Sequence, residues 1–164
     1  MGGDAQFTKM EGSTNWYYPV TKETVVHWKL AAGVTFSNSD NKLPVFEKFF
    51  LGGINTIRGF KGGSISPRNE DQEKLGGGKM WYYNLEWIFP LVKDAGLKGL
   101  VFFDAGNVYS EHGDWDFNEI KKAAGFGFRW LSPMGPLRLE WGYNLDPTEF
   151  EQQSNWDFNL GGSF

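Results

Sequence analysis

The sequence predicts an all-β protein, and in particular an antiparallel transmembrane β-barrel. Three observations lead to this prediction. Aromatic residues make up 18% of the 164 residues and glycine contributes 22, both above the usage of an average soluble domain. No apolar run approaches the ~18 residues that a membrane helix needs. Apolar and polar residues instead alternate with a period of two over several long segments, as in strands that face lipid on one side.

Seven segments show strand patterning, each bounded by turn residues. In the third, for example, Trp81, Tyr83 and Leu85 share one face while Asn84 and Glu86 share the other. The alternation is weakest in the first segment, which contains FTKMEGSTNWYYPV. The predicted strands span about 5–19, 24–36, 79–90, 97–109, 121–131, 136–146 and 154–164.

A soluble sandwich and a membrane barrel produce the same alternation, because they differ only in the solvent at each face. Three features favour the barrel. The segments are about 10–13 residues long, against about 5–6 for a typical soluble strand. Trp and Tyr concentrate near segment ends, where interfacial girdles lie. Short connections alternate with long ones, as periplasmic turns alternate with outer loops in such barrels.

The connection at 37–78 is too long for a passive loop. Its glycines permit a compact, left-handed backbone, and the run IRGF at 57–60 places an arginine between apolar residues. An arginine enclosed by a barrel needs carboxylate partners, and alternation points Glu86 and Asp104 inward on neighbouring strands. The prediction is a loop whose tip, Arg58, folds into the lumen. A solvated arginine in a flexible loop is the alternative.

Several classes of function find no support in the sequence. The formal net charge of -4 gives no footprint for nucleic acid. The chain has no cysteine, which excludes disulfides and thiolate metal sites. Its two histidines, His27 and His112, are too few for a histidine-rich site, and the glycine run at 76–78 precedes a strand, unlike a phosphate loop. We expect no catalytic residue, no metal and no cofactor.

Five stretches make the chain resemble the BamA-type family of outer-membrane assembly proteins, including its TamA-like relatives. FEKFFLGGINTIRGF resembles the family's lumenal loop, with its Arg-Gly-Phe/Tyr tip, and WYYNLEWIFPL resembles the strand that follows. LVFFDAGNVY resembles the next strand, with its Asp-x-Gly. GFGFRWLSPMGPLRLEWGYNL resembles the following hairpin, and NWDFNLGGSF resembles the closing strand. The resemblance covers nearly the whole chain.

The resemblance implies a factor of the bacterial outer membrane that inserts other β-barrels without covalent chemistry. Its partners would be outer-membrane lipid, unfolded outer-membrane proteins and accessory lipoproteins. The family's loop arginine contacts acidic residues on the inner wall, which implies a lumenal lock of Arg58, Gly59, Phe60, Glu86 and Asp104. A pore of the two-partner secretion type, which shares the arginine loop, and a structural anchor barrel are the alternatives.

Insertion by this route requires a weak seam, where the final strand unpairs and an incoming strand pairs with the free edge. Glycine weakens pairing near the end of the last segment, although a fraying terminus explains the same glycines. The expected seam combines that segment's apolar stripe with its glycines: Trp156, Phe158, Leu160, Gly161, Gly162 and Phe164.

Residues 1–164 are expected to form a single outer-membrane β-barrel domain that is a fragment of a larger barrel. The family barrel has sixteen strands and this chain resembles the last seven, so about seven to eight strands with a long lumenal loop are expected. The N-terminus lacks the pattern of an export signal, in agreement with a fragment. Open strand edges would allow a second copy to pair, giving a homo-oligomer.

Overall fold

The computed structural model describes residues 7–37, 43–149 and 151–161. Within these ranges, one sheet of seven antiparallel strands runs in chain order, so that each strand pairs with the next. The all-β expectation is confirmed, and the described residues contain seven strands. These are β1 (Phe7–Pro19), β2 (Val25–Ser37), β3 (Lys79–Val92), β4 (Leu97–Tyr109), β5 (Lys121–Ser132), β6 (Gly135–Asn144) and β7 (Ser154–Leu160). A 3-10 helix at Val45–Glu47 lies between β2 and β3.

The connections differ in length between the two ends of the sheet. Tight turns at 20–24, 93–96 and 133–134 lie at one end, which we call the short-turn end. The connections from β2 to β3, from β4 to β5 and from β6 to β7 begin and end at the other, the long-loop end. Tight turns fix the antiparallel registers of the hairpins that they close. In β3 the register shifts between Pro90 and Val92, because proline has no N–H to donate to the ladder.

Burial is inverted between the two faces of the sheet. The inner face, which the long loop covers, buries polar and charged side chains; the outer face exposes large apolar ones. A soluble sheet shows the opposite arrangement, whereas a sheet with lipid on its outer face requires this one. Buried inner-face residues include Thr35, Asn84, Glu86, Asp104, Arg129 and Glu140, and exposed outer-face residues include Leu30, Leu85, Trp87, Val101, Phe128 and Trp156.

The long loop, described here over residues 43–78, packs on the inner face through an apolar core. Backbone hydrogen bonds pair Leu51 with Ile65 and Phe49 with Gly77, which closes the loop on itself. Ordering so many residues is costly in conformational entropy, and burial of the apolar side chains offsets that cost. The loop contributes Phe49, Leu51, Ile57, Phe60 and Ile65, and the sheet contributes Ala31, Met80, Tyr82, Val108 and Ala123.

Two strands end earlier than the alternation suggested. The sixth ends at Asn144, whose Oδ1 accepts a hydrogen bond from the backbone N–H of Asp146 at 3.1 Å and so begins a turn. The last ends at Leu160, since Gly161 has a φ of 83°, outside the strand region. Alternation does not detect either ending, because both depend on local backbone conformation.

Candidate functional site

Arg58 lies at the tip of the long loop, where its side chain is 2% exposed. Three strands direct a carboxylate toward it on the inner face: Glu86 from β3, Asp104 from β4 and Glu140 from β6. Alternation places these side chains on the same face of the sheet. The loop tip is thereby joined to strands that are far apart in sequence.

Asp104 holds both the side chain and the backbone of Arg58. Nε of the arginine donates to Oδ2 at 2.8 Å and Nη2 donates to Oδ1 at 2.7 Å, a bidentate pair. The backbone N–H of Arg58 also donates to Oδ2, at 3.0 Å. Asn84 donates to Oδ1 at 2.8 Å and to the carbonyl oxygen of Thr56 at 2.5 Å. The aspartate is therefore fixed from the sheet and from the loop.

The remaining terminal nitrogen of Arg58 bridges the other two carboxylates. Nη1 donates to Glu86 Oε1 at 2.6 Å and to Glu140 Oε2 at 2.8 Å. The guanidinium carbon lies 3.7 Å from the centroid of the Phe102 ring, in cation–π range. Burial alone would lower the pKa of Arg58, but the charge and hydrogen bond of Asp104, together with the other two carboxylates, raise that pKa above its ordinary value. The guanidinium therefore stays charged.

Two strand arginines, together with Arg58, balance the three carboxylates. Arg129 donates from Nη2 to Glu86 Oε1 at 2.6 Å and from Nε to Glu140 Oε1 at 2.9 Å; Arg138 Nε donates to the same Glu140 oxygen at 3.1 Å. The tight turn at 133–134 sets this arrangement, because it pairs Arg129 with Arg138 across the hairpin. We name the whole group the charge cluster: Arg58, Glu86, Asp104, Arg129, Arg138 and Glu140.

Glu140, Arg129 and Arg138 were not among the site residues expected from the sequence. The alternation contains a signal for them, since it places all three on the polar face of their strands. Two carboxylates already neutralise one buried arginine, so the sequence does not predict a third carboxylate at this site. The third carboxylate becomes necessary only because two further arginines are buried beside the first.

His27 extends the contacts of the cluster to β2 and β1. Its Nδ1 lies 2.9 Å from Glu86 Oε2, and its Nε2 lies 3.3 Å from Asn15 Oδ1. The imidazole stacks on the Tyr17 ring with 4.3 Å between centroids. The histidine therefore belongs to the wall of the cluster, consistent with the inward position that alternation gives it.

Glycine allows the loop tip to approach the sheet at backbone distance. Gly59 has a φ of 83°, and a Cβ on it would lie 3.0 Å from the carbonyl carbon of Gly142 in β6. A Cβ on Gly142 would in turn lie 2.6 Å from the Cα of Gly59. Neither side chain has room, so the approach needs glycine on both sides. Phe60, which follows, is buried in the apolar core.

The described residues expected at the seam lie apart from the charge cluster: three lie on β7, and Gly161 follows that strand. Trp156, Phe158 and Leu160 are exposed on the outer face. Trp156 contacts the rings of Phe126 and Trp141. The backbone N–H of Gly161 donates to the carbonyl oxygen of Pro136 at 2.9 Å. The other two seam residues, Gly162 and Phe164, lie outside the described residues.

Among the described residues, no group of three or more His, Cys, Asp or Glu side chains is placed to hold a metal ion. In the same part of the chain, no helix is long and apolar enough to cross a membrane.

Comparison with known proteins relates the whole chain to one family and to long curated relatives. The family described as the Omp85 superfamily domain matches residues 1–164. The chain is 38% identical over 169 residues to the outer membrane protein assembly factor BamA of Nitratidesulfovibrio vulgaris, an alignment that covers 100% of this chain and 21% of that protein. It is 27% identical over 195 residues to the protein of the same name from Neisseria meningitidis, covering 99% and 24%. The chain therefore spans about a fifth to a quarter of these relatives.

A solved structure has the same fold. The crystal structure of BamA from Haemophilus ducreyi lacking POTRA domains 1-3 matches with a TM-score of 0.84 and 24% sequence identity. The match covers 96% of this chain and 35% of that one. At this level of identity the comparison supports the fold alone.

Proposed function

The chain belongs to the Omp85 superfamily, and from that membership we propose that it is the C-terminal part of the barrel of an outer-membrane protein assembly factor. The proposed factor acts in the bacterial outer membrane on unfolded outer-membrane proteins. Support comes from relatives that are named assembly factors and from the inverted burial of the sheet, whose exposed apolar face suits lipid. Accessory lipoproteins belong to the same proposal.

We propose further that the charge cluster is a lock that holds the long loop inside the barrel. This proposal depends on one observation: a single loop arginine, 2% exposed, is bonded to carboxylates on β3, β4 and β6. Withdrawing the loop would leave three carboxylates short of one cation in a buried setting, which is strongly unfavourable. The loop would therefore stay docked while other parts of the barrel move. Gly59 and Phe60 serve the lock through close approach and apolar packing.

The seam is proposed to lie along β7. That strand has 7 residues, against 10 in β6 and 12 in β5. A ladder this short has few hydrogen bonds to break, so the strand could unpair and offer the backbone N–H and C=O groups of an open edge to an incoming strand. Pairing with that edge exchanges hydrogen bonds and needs no covalent step, so the proposed activity is non-enzymatic. The same open edge would permit pairing with a second copy.

Reconstitution of the full-length protein into liposomes tests the proposed function. We expect an unfolded β-barrel substrate to acquire heat-resistant, folded migration on a gel faster in these liposomes than in empty ones. Liposomes carrying an unrelated barrel are the control for membrane defects. If the protein conducts ions or exports a soluble partner but leaves substrate folding at the control rate, the proposal is wrong and a secretion pore takes its place.

A further inference from the structure

A recess with a volume of about 350 Å³ lies on the outer face between β1 and β2, and we call it the slot. Gly12 and Ala32, which are paired in register, form its floor. A Cβ on Gly12 would meet no atom within 4 Å, so the space above the floor is open. Met10 and Val34, the next pair on the same face, flank the floor toward the long-loop end.

The backbone between these two pairs completes the floor of the slot. Glu11 and Gly33, also paired in register, line the slot, but alternation directs their side chains to the inner face. A Cβ on Gly33 would lie 2.7 Å from the ring of Phe49 in the apolar core. The side chains that border the slot are therefore those of Met10 and Val34, with the small floor residues between the strands.

The connection between β4 and β5 bends over the outer face and supplies another side of the slot. Between ring centroids, Phe117 lies 6.0 Å from Trp81, and Trp115 lies 5.5 Å from Tyr109. The indole N–H of Trp81 donates to the hydroxyl oxygen of Tyr109 at 3.2 Å. Trp81 is paired in register with Ala32, so this aromatic group lies in the same row as the slot floor.

Hydrogen bonds to the strands hold the first half of this connection in place. The backbone N–H of Ser37 donates to Glu111 Oε1 at 2.5 Å, and Lys79 Nζ donates to the carbonyl oxygen of Gly113 at 2.8 Å. Trp115, two residues further on, lines the slot. It borders the slot from the side of the long loops, where tryptophan suits the boundary between membrane and water.

The slot is a depression in a wall that otherwise carries large side chains. Toward the short-turn end, on the same face, Trp16 and Trp28 stack with 5.6 Å between their centroids. An empty depression would forfeit the dispersion contacts of its lining. Water would need two to four polar partners, which the bordering side chains of Met10 and Val34 do not supply. A flexible hydrocarbon suits the slot better.

We propose that the slot binds one acyl chain of a membrane lipid, which lies along β1 and β2 with Trp115 at its headgroup end. The slot is continuous with the outer face, whose exposed apolar side chains suit lipid. A peptide would bring backbone N–H and C=O groups into a hydrocarbon setting, where they are costly. This lipid site goes beyond the proposed assembly function and does not depend on it.

The first test measures lipid that remains bound to the full-length protein. The protein is moved from liposomes of palmitoyl-oleoyl phosphatidylcholine into detergent and weighed intact by native mass spectrometry. We expect the wild type to retain a phospholipid. In Gly12→Leu, whose side chain fills the slot, the lipid-bound fraction should fall about fivefold, equivalent to ~1 kcal/mol. A wild type without retained lipid, or an unchanged fraction in the variant, overturns the proposal.

A matched variant adds the same side chain elsewhere on the outer face. Ala124 in β5 is paired in register with Tyr143, which is exposed on that face. Ala124→Leu should keep the wild-type fraction of bound lipid. An equal loss in this control would mean that added bulk anywhere on the wall removes lipid, and the assignment to the slot would be wrong.

Photolabelling locates the bound chain. The probe is the same phospholipid with a diazirine in its acyl chain, used in liposomes, and labelled residues are mapped by mass spectrometry. Gly12→Leu should lower labelling of Met10 and Val34 about fivefold and leave Trp87, exposed on β3, unchanged. Equal changes at all three residues would overturn the proposal.

A second variant keeps the test decisive if Gly12→Leu does not fold. Trp115→Ala lies in a connection, where substitutions are tolerated better than in strands, and should lower labelling of Met10 and Val34 about threefold. Unchanged labelling would overturn the proposal. Substrate assembly in liposomes is measured separately. Slot labelling without assembly would reject the proposed function and keep the slot, and the converse would reject the slot alone.

Discussion

Arg58 in the long loop is 2% exposed and bonded to carboxylates on three strands, whereas Phe158 is 63% exposed and lies on β7, which has one paired neighbour among the described strands. Both the loop and β7 contact the same sheet. Within the described residues, many simultaneous contacts hold the loop, whereas β7 is held by its ladder of backbone hydrogen bonds with β6. Loops are usually the mobile parts of a fold and strands the fixed ones. Here we expect buried charge to reverse that order.

How firmly the loop or β7 is attached to the sheet depends on the contacts that each would lose on leaving it. Releasing the loop leaves buried charges unpaired and exposes an apolar core, both costly in free energy. Releasing β7 would leave one row of backbone groups unpaired. The apolar side chains on its outer face are exposed even when the strand is paired.

Arg58→Ala should detach the loop. Removing one partner from a buried ion network leaves the other charges uncompensated, which costs about 3–5 kcal/mol. We expect cleavage within residues 43–78 by a protease to become much faster in the folded full-length protein. Arg68→Ala, which removes a loop arginine whose hydrogen bonds go to backbone carbonyl oxygens, should leave the loop protected. Equal protection in wild type and Arg58→Ala would show that the cluster does not hold the loop.

Gly142→Ala should weaken the docking of the loop by steric overlap. The added Cβ would lie 2.6 Å from the Cα of Gly59, and overpacking of this kind costs about 1–3 kcal/mol. Protease cleavage of the loop and the denaturant midpoint of the barrel measure the effect. Gly12→Ala is the matched control, because a Cβ at Gly12 would meet no atom within 4 Å. A midpoint equal to that of the control would contradict close contact at the tip.

Amide hydrogen exchange should separate β7 from the interior strands. We expect the amides of 155–160 in the full-length protein to exchange at least tenfold faster than those of 123–131 in β5, a difference of ~1.4 kcal/mol. The physical reason is that β7 is short, with 7 residues against 12 in β5, so fewer ladder hydrogen bonds hold it. Similar rates in the two strands would remove the basis for a seam at β7.

The smallest effect is expected at Glu151, in the connection between β6 and β7. Burial raises the pKa of this carboxyl, but the backbone N–H of Thr148 and the ammonium of Lys121, 2.9 Å away, outweigh burial and lower it from 4.5. The ion pair therefore stabilises the fold above about pH 4.5, and this contribution is lost as pH falls through the lowered pKa.

Lys121→Gln should accordingly cost less than about 1 kcal/mol at neutral pH, and the difference from wild type should vanish in acid. Unfolding midpoints across the pH range measure it. Lys122→Gln, at the exposed neighbouring position, is the control and should show no such dependence. A difference that persists unchanged in acid would mean that Lys121 acts through packing.

Alternation alone predicts the strand class, the order of the strands along the chain and the face on which each side chain lies. Period-two alternation needs only local information, since successive side chains of a strand must point to opposite sides. It points Glu86 and Asp104 inward, and it puts Glu140 on the polar face of its strand. It also located the long glycine-bearing loop, because a connection of that length is unusual between paired strands.

Which of the inward charged groups form ion pairs depends on the tertiary structure. Glu140 lies 82 positions from Arg58 in sequence, and its contact with the arginine depends on the depth to which the loop tip descends. That depth is set by the backbone contact of Gly59 with Gly142 and by the apolar packing of Phe60. Alternation assigns side chains to a face, but their pairing is determined by distances in three dimensions.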